Sequence, residues 1–216
     1  MKKKTLTIAI ALVLVVALAV GATYALLTAK TDTVTNTFVV GKIKDDGTVF
    51  SLKEHDIAGQ KANGEYILKT GDADGDYTTS NTYGAVVPGV NIPKDPTVKV
   101  EALAGDAYLY VVVDNQLGAG LTYEMADKWT PIAVDGKQTL YVYNAGEKLT
   151  PNSSAISQNI LKDDQIAVAT KGVADGSTTL TFNAYLVQAV GTGNAADAWN
   201  AAAPVAGFTA KMPTGA

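Results

Sequence analysis

The chain reads as an all-β protein, a jelly-roll-like antiparallel β-sandwich with a long loop excursion and a short C-terminal helix. Three observations predict this. Threonine, valine, tyrosine and glycine recur throughout the 216 residues. Short apolar stretches alternate with turn clusters, which is how a sandwich is written into sequence. No internal repeat or interdomain linker interrupts them, so one domain is the economical reading.

The first stretch sets the context for the rest. Lys2, Lys3 and Lys4 precede an uncharged, mostly apolar run from Leu6 to Ala25. A cationic start, an apolar middle and small residues at Ala22 and Ala25 are the parts of a secretory signal peptide. Thr23-Tyr24-Ala25 suits a signal peptidase, so residues 1–25 are read as the signal, cut between Ala25 and Leu26. Residues 26–216 then form the sandwich domain. A retained anchor is the alternative. Leu6 to Leu27 is just long enough to cross about 30 Å of hydrocarbon at about 1.5 Å per residue, with the lysines held in the cytoplasm. Either way the chain is expected outside the cytoplasm.

Thr33 to Gly41 has strand composition, with Val34, Asn36, Phe38 and Val40 on one face. Asp45-Asp46-Gly47 is a turn signal, and Thr48 to Lys53 can return as its partner strand. From Ile57 to Asn81 the chain turns polar and glycine-rich around Glu65–Lys69, predicting a long exposed excursion (residues 57–81) with one short strand. Pro88, Pro93 and Pro96 cannot donate ladder hydrogen bonds, so Val86 to Pro96 is an extended edge or crossover segment. Thr97 to Leu103 alternates, with Val98, Val100 and Ala102 inward. Ala107 to Val113 is apolar throughout, as in a strand buried on both faces. Ala104-Gly105-Asp106 between them predicts a hairpin.

Trp129–Val134 and Gln138–Tyr143 predict a second hairpin across Asp135-Gly136. Ile156 to Leu161 fits a short helix or a strand. Gln165 to Thr170 is a strand, and Thr178 to Val190 is the longest. In it Leu180, Phe182, Ala184 and Leu186 share a face opposite Thr179, Thr181 and Asn183. Ala195 to Ala202 predicts a short helix stopped before Pro204, with a frayed tail beyond.

Charge and composition narrow the function. The chain carries 17 basic and 21 acidic residues. Removing the signal's three lysines leaves 14 against 21, a net charge of about −7. Every basic residue is lysine. An acidic, arginine-free surface is a poor partner for phosphate backbones, so nucleic-acid binding is not expected. There is no cysteine, so neither disulfides nor thiolate chemistry contributes. The single histidine, His55, allows neither a two-histidine zinc site within one chain nor a choice of base for a serine triad. No enzyme activity, catalytic residue or cofactor is expected.

Local candidates are weak. Asp72, Asp74 and Asp76 echo a calcium loop, but the helical pattern needs glycine at its sixth position and a carboxylate at its twelfth, where Tyr77 and Tyr83 stand. A solvated acidic loop is the favoured reading beside a weak calcium site. Glu54-His55-Asp56 reads as a surface turn at a strand end ahead of a metal or catalytic role. Tyr108, Tyr110, Tyr141 and Tyr143 read as cross-strand packing before a sugar- or partner-binding ladder. Trp129 and Trp199 are read as core anchors. Asn152-Ser153-Ser154 matches a glycosylation acceptor.

Gly21 to Lys30, followed by Val34-Thr-Asn-Thr-Phe-Val-Val-Gly41, resembles the TasA/camelysin family of Gram-positive bacteria. Val87-Pro-Gly89, Ile92-Pro-Lys-Asp-Pro96, Ala107 to Asn115, Ala184 to Ala189 and Ala198-Trp199 extend the likeness over most of the chain. The resemblance implies a jelly roll cut by a dedicated SipW-type signal peptidase and assembled outside the cell into biofilm matrix fibres. In such fibres the mature N-terminal segment completes the sheet of the next subunit, giving a head-to-tail homopolymer. Residues 26–38 are the candidate donor, with Leu26, Leu27, Val34 and Phe38 as anchors. A minor fibre subunit is a further candidate partner. The family also carries a peptidase label, but no His-Glu-x-x-His motif is present here. The excursion at Ile57–Asn81 has no clear place in the family pattern. The different-class alternative is a monomeric surface binding module or adhesin, tethered by an uncleaved N-terminal helix.

Overall fold

The computed structural model describes residues 28–30, 41–42, 49–174, 176–189, 191–202 and 208. The expected signal peptide, its expected cut between Ala25 and Leu26, the candidate anchors Leu26, Leu27, Val34 and Phe38, and the expected Asp45-Asp46-Gly47 turn lie outside the described residues. Among the described residues no helix is long and apolar enough to cross a membrane.

In chain order the strands are β1 (Thr28–Lys30), β2 (Gly41–Lys42), β3 (Val49–His55), β4 (Ile57–Gln60), β5 (Tyr66–Leu68), β6 (Tyr77–Thr78), β7 (Ile92–Pro93) and β8 (Thr97–Ala102). They continue with β9 (Ala107–Gln116), β10 (Leu121–Thr122), β11 (Trp129–Asp135), β12 (Gln138–Tyr143), β13 (Ile156–Asn159), β14 (Gln165–Val168) and β15 (Thr179–Gln188), and helix α1 (Ala195–Ala202) follows. One sheet runs β1-β15-β9-β12-β11, and a second runs β13-β8-β3-β2 with β6 added to β3. Short strands β10-β14-β7 form a further sheet. All recorded pairings are antiparallel. The fold is all-β and sandwich-like, as the sequence predicts.

Alternation explains the main core. Leu109, Val111 and Val113 from β9 and Leu180, Phe182, Ala184 and Leu186 from β15 meet Phe50 and Leu52 from β3 and Val98 and Val100 from β8. Each such side chain taken out of water contributes about 1.5–3 kcal/mol if fully buried. The other face of the first sheet is buried too. Tyr108, Tyr110, Val112, Tyr185 and Val187 form a second cluster with Ala195, Ala198 and Trp199 of α1. This double burial is why Ala107–Val113 is apolar at every position. Asn194 caps the helix, its Oδ1 accepting from the Asp197 amide at 2.9 Å.

Several expectations need correction. β8 and β9 are not a hairpin: β8 pairs with β3 and β13, whereas β9 pairs with β12 and β15. Ala104-Gly105-Asp106 therefore carries the chain from one sheet to the other. Ala102 is exposed, because β8 has run past the core by that point. The excursion at 57–81 carries three short strands where one is expected, and it is not wholly exposed. β4 and β5 pair with Gln60 opposite Tyr66, and β6 returns to β3 with His55 opposite Tyr77. Tyr66 and Asn81 are buried within it.

The β11–β12 hairpin forms, but Asp135 lies opposite Gln138, so Gly136-Lys137 makes the two-residue turn. Gly136 sits at φ +60°, where glycine is favoured. The ambiguous Ile156–Leu161 stretch contributes strand β13, paired with β8.

Candidate functional site

Two places gather features with functional meaning. The first is the outer edge of β15. Its inner edge pairs with β9 along all ten residues. Against its outer edge lies β1, with Thr28 opposite Val187, Ala29 opposite Leu186 and Lys30 opposite Tyr185. The segment just after the expected cleavage site is thus a strand on this edge, covering three of the ten positions of β15. β15 also holds Asn183, a buried residue whose Oδ1 has no hydrogen-bond partner among the described residues.

The second is a buried polar cluster that sequence reading missed. Phe50, Leu52 and Glu54 follow one another inward along β3, so the strand's own alternation drives a carboxylate into the interior. Glu54 is 1% exposed, and Lys94, just after β7, is also 1% exposed. Lys94 Nζ donates to Glu54 Oε2 at 2.7 Å. Asn81, from the end of the excursion, donates its Nδ2 to Glu54 Oε1 at 3.1 Å and to the His55 carbonyl at 2.8 Å. Its Oδ1 accepts from the Ile57 amide at 3.1 Å. The rings of Phe182 and Tyr83 stand 5.7 and 6.0 Å from Lys94 Nζ. Burial, and then the charges of Glu54 and Asp95, push the Tyr83 phenol well above its usual range. Asn81, Tyr83 and Lys94 also border a cavity of 690 Å³ whose apolar wall includes Ile92, Leu121 and Leu180. The expected surface turn at Glu54-His55-Asp56 is thereby corrected: Glu54 and His55 belong to β3, and Glu54 faces the core.

His55 points elsewhere. Its Nδ1 meets Asp95 Oδ2 at 2.5 Å, its Nε2 meets the Gly71 carbonyl at 3.2 Å, and its ring stacks on Tyr77 at 4.5 Å. These contacts fasten the excursion to the sandwich. The acidic loop is engaged in the same structural way. Asp72 accepts from the Tyr77 hydroxyl at 3.0 Å, Asp74 from Lys53 at 3.2 Å, and Asp76 from the Ala73 amide at 3.2 Å. The three carboxylates thus face separate partners, and among the described residues no cluster of three or more acidic or histidine side chains is gathered to hold a metal ion.

The tyrosines divide by strand. Tyr108 and Tyr110 are buried beneath α1, and Tyr141 and Tyr143 lie partly buried against the main core. Trp129 and Trp199 are core residues, Trp129 donating its indole N–H to the Asn159 carbonyl at 2.9 Å. Asn152, Ser153 and Ser154 are exposed.

Comparison of the chain with protein-family models, with curated proteins and with solved structures gave no match.

Proposed function

We propose that the chain is a non-enzymatic, exported structural protein of TasA/camelysin type that builds extracellular matrix fibres by N-terminal strand donation. The observation that carries the reading is the antiparallel seat of Thr28–Lys30 on the outer edge of β15. A strand edge is a row of unpaired backbone groups that another chain can complete. Removal of residues 1–25 would free Thr28 to be the third residue of the mature chain. The segment could then exchange its own β15 for that of a neighbour in the same register. Such a head-to-tail exchange does not close, so it propagates as a filament at the cell surface.

A chain lacking residues 26–36 tests this directly. It is expected to fold, to stay monomeric, and to stop filament growth when mixed in small proportion with the intact protein, because it accepts a strand and donates none. Ordinary filaments from the truncated chain alone would sink the reading.

The seat of β1 on its own sheet also favours a second reading, a self-completed monomer displayed as a binding module. The 690 Å³ cavity beside Tyr83 and Ile92 would then be its ligand site. A protein that sediments only as a monomer after correct trimming would select that reading.

A further inference from the structure

Glu54, Asn81 and Lys94 come from positions 27 and 40 residues apart, yet the two oxygens of one carboxylate hold the amine and the amide side by side. Burying an ion pair is costly, and a third polar group beside it adds to the cost unless the arrangement has a use. We propose that Lys94 and Asn81 join in an intramolecular isopeptide bond, with Glu54 moving the protons.

The contacts supply the proton path. Lys94 passes a proton to Glu54 Oε2 along the 2.7 Å hydrogen bond, which leaves a neutral amine. The Nζ lone pair attacks Asn81 Cγ, and the carbonyl electrons move onto Oδ1, where the Ile57 amide at 3.1 Å donates to the growing charge. Glu54 gives a proton to Nδ2 through the 3.1 Å contact on its other oxygen and removes one from Nζ. The Cγ–Nδ2 bond breaks and the Cγ–Nζ bond remains. In sum, the Lys94 ammonium, the Glu54 carboxylate and the Asn81 carboxamide become a secondary amide, a protonated Glu54 and ammonia. No oxidant or added reagent is needed.

The surroundings favour this outcome. The reacting groups are fixed by the fold, so the encounter is intramolecular. The Phe182 and Tyr83 rings replace water around Nζ. Conversion of a buried ion pair into a neutral amide removes the desolvation cost of the charges. Asn81 and Lys94 both border the 690 Å³ cavity, which gives the ammonia a way out. The bond would close the loop from Asn81 to Lys94 in a chain that has no cysteine for the purpose.

Peptide mapping of the purified full chain decides the matter. Trypsin with chymotrypsin would release Thr78–Tyr83 and Gly84–Lys94 separately if nothing joins them. The proposal predicts one branched product, Thr78–Tyr83 bonded to Gly84–Lys99, uncut after Lys94 and lighter by one ammonia. Glu54→Gln should leave the two peptides separate, and Asn81→Asp should give the same branched product with water lost instead. Separate, unmodified peptides from the wild-type chain would overturn the proposal, whether or not the variants fold. Loss of ammonia at Asn81 without the branched product would be succinimide formation and would overturn it equally.

Discussion

Tyr185 meets the indole of Trp199 edge-on, with ring centroids 5.5 Å apart and ring planes at 88°. Tyr185 is also the residue that lies opposite Lys30 across the outer edge of β15. The strand that receives the N-terminal segment is therefore backed by helix α1, and the two features are mechanically joined. Trp199 further packs on Tyr110 at 5.0 Å and on Phe208 at 6.0 Å.

Trp199→Ala should undock the helix from the sheet. Loss of a buried indole costs about 3–5 kcal/mol. The urea midpoint is expected to fall with little change in slope. A midpoint within error of the wild type would mean that α1 contributes little to the fold.

Alkaline stability follows from the buried phenols. Burial pushes the Tyr83, Tyr110 and Tyr123 hydroxyls far up, and Tyr185 up to about 12. The unfolded chain loses these protons near pH 10 or so. The folded chain binds more protons above that point, so its stability is full below the unfolded value and declines as pH rises through it toward the folded ones. Tyrosinate absorbance followed against pH should show one group ionising freely and another only as the protein unfolds. A single free transition for all ten tyrosines would contradict the packing described.

Engineered cysteines can tell exchange from self-pairing. The chain has none of its own, so a Thr28→Cys/Val187→Cys pair is chemically unique. Directly opposed residues of antiparallel strands are close enough for a disulfide. Strand donation predicts a ladder of covalent oligomers when assembled material is oxidised. Cross-linked monomer alone, from material that is visibly filamentous, would place the joint elsewhere.

What the sequence discloses is local. The burial of Ala107–Val113 is legible because no position in that run tolerates water, and the Trp129–Tyr143 hairpin is legible because its turn lies between its own strands. Partner choice is not local. Ala104-Gly105-Asp106 carries a turn signal, but a turn does not specify whether the next strand joins the same sheet or the facing one, and here it crosses. Glu54 escaped notice because beside His55 and Asp56 it looks like surface charge. Its period-2 spacing from Phe50 and Leu52 was the available sign that it points inward. Lys94 and Asn81 had no such sign, since their meeting with Glu54 depends on the path of the whole 57–96 segment. The excursion was legible as polar, but its anchoring through Asn81 and the His55–Asp95 contact depends on residues brought together only by folding.

Electron microscopy of the purified chain beginning at Leu26, beside the same chain keeping residues ahead of Leu26, tests the central claim most directly. Strand donation predicts filaments only from the trimmed form, because only a freed segment can leave its own β15 for a neighbour's. Monomers from both preparations, or equal filaments from both, would contradict it.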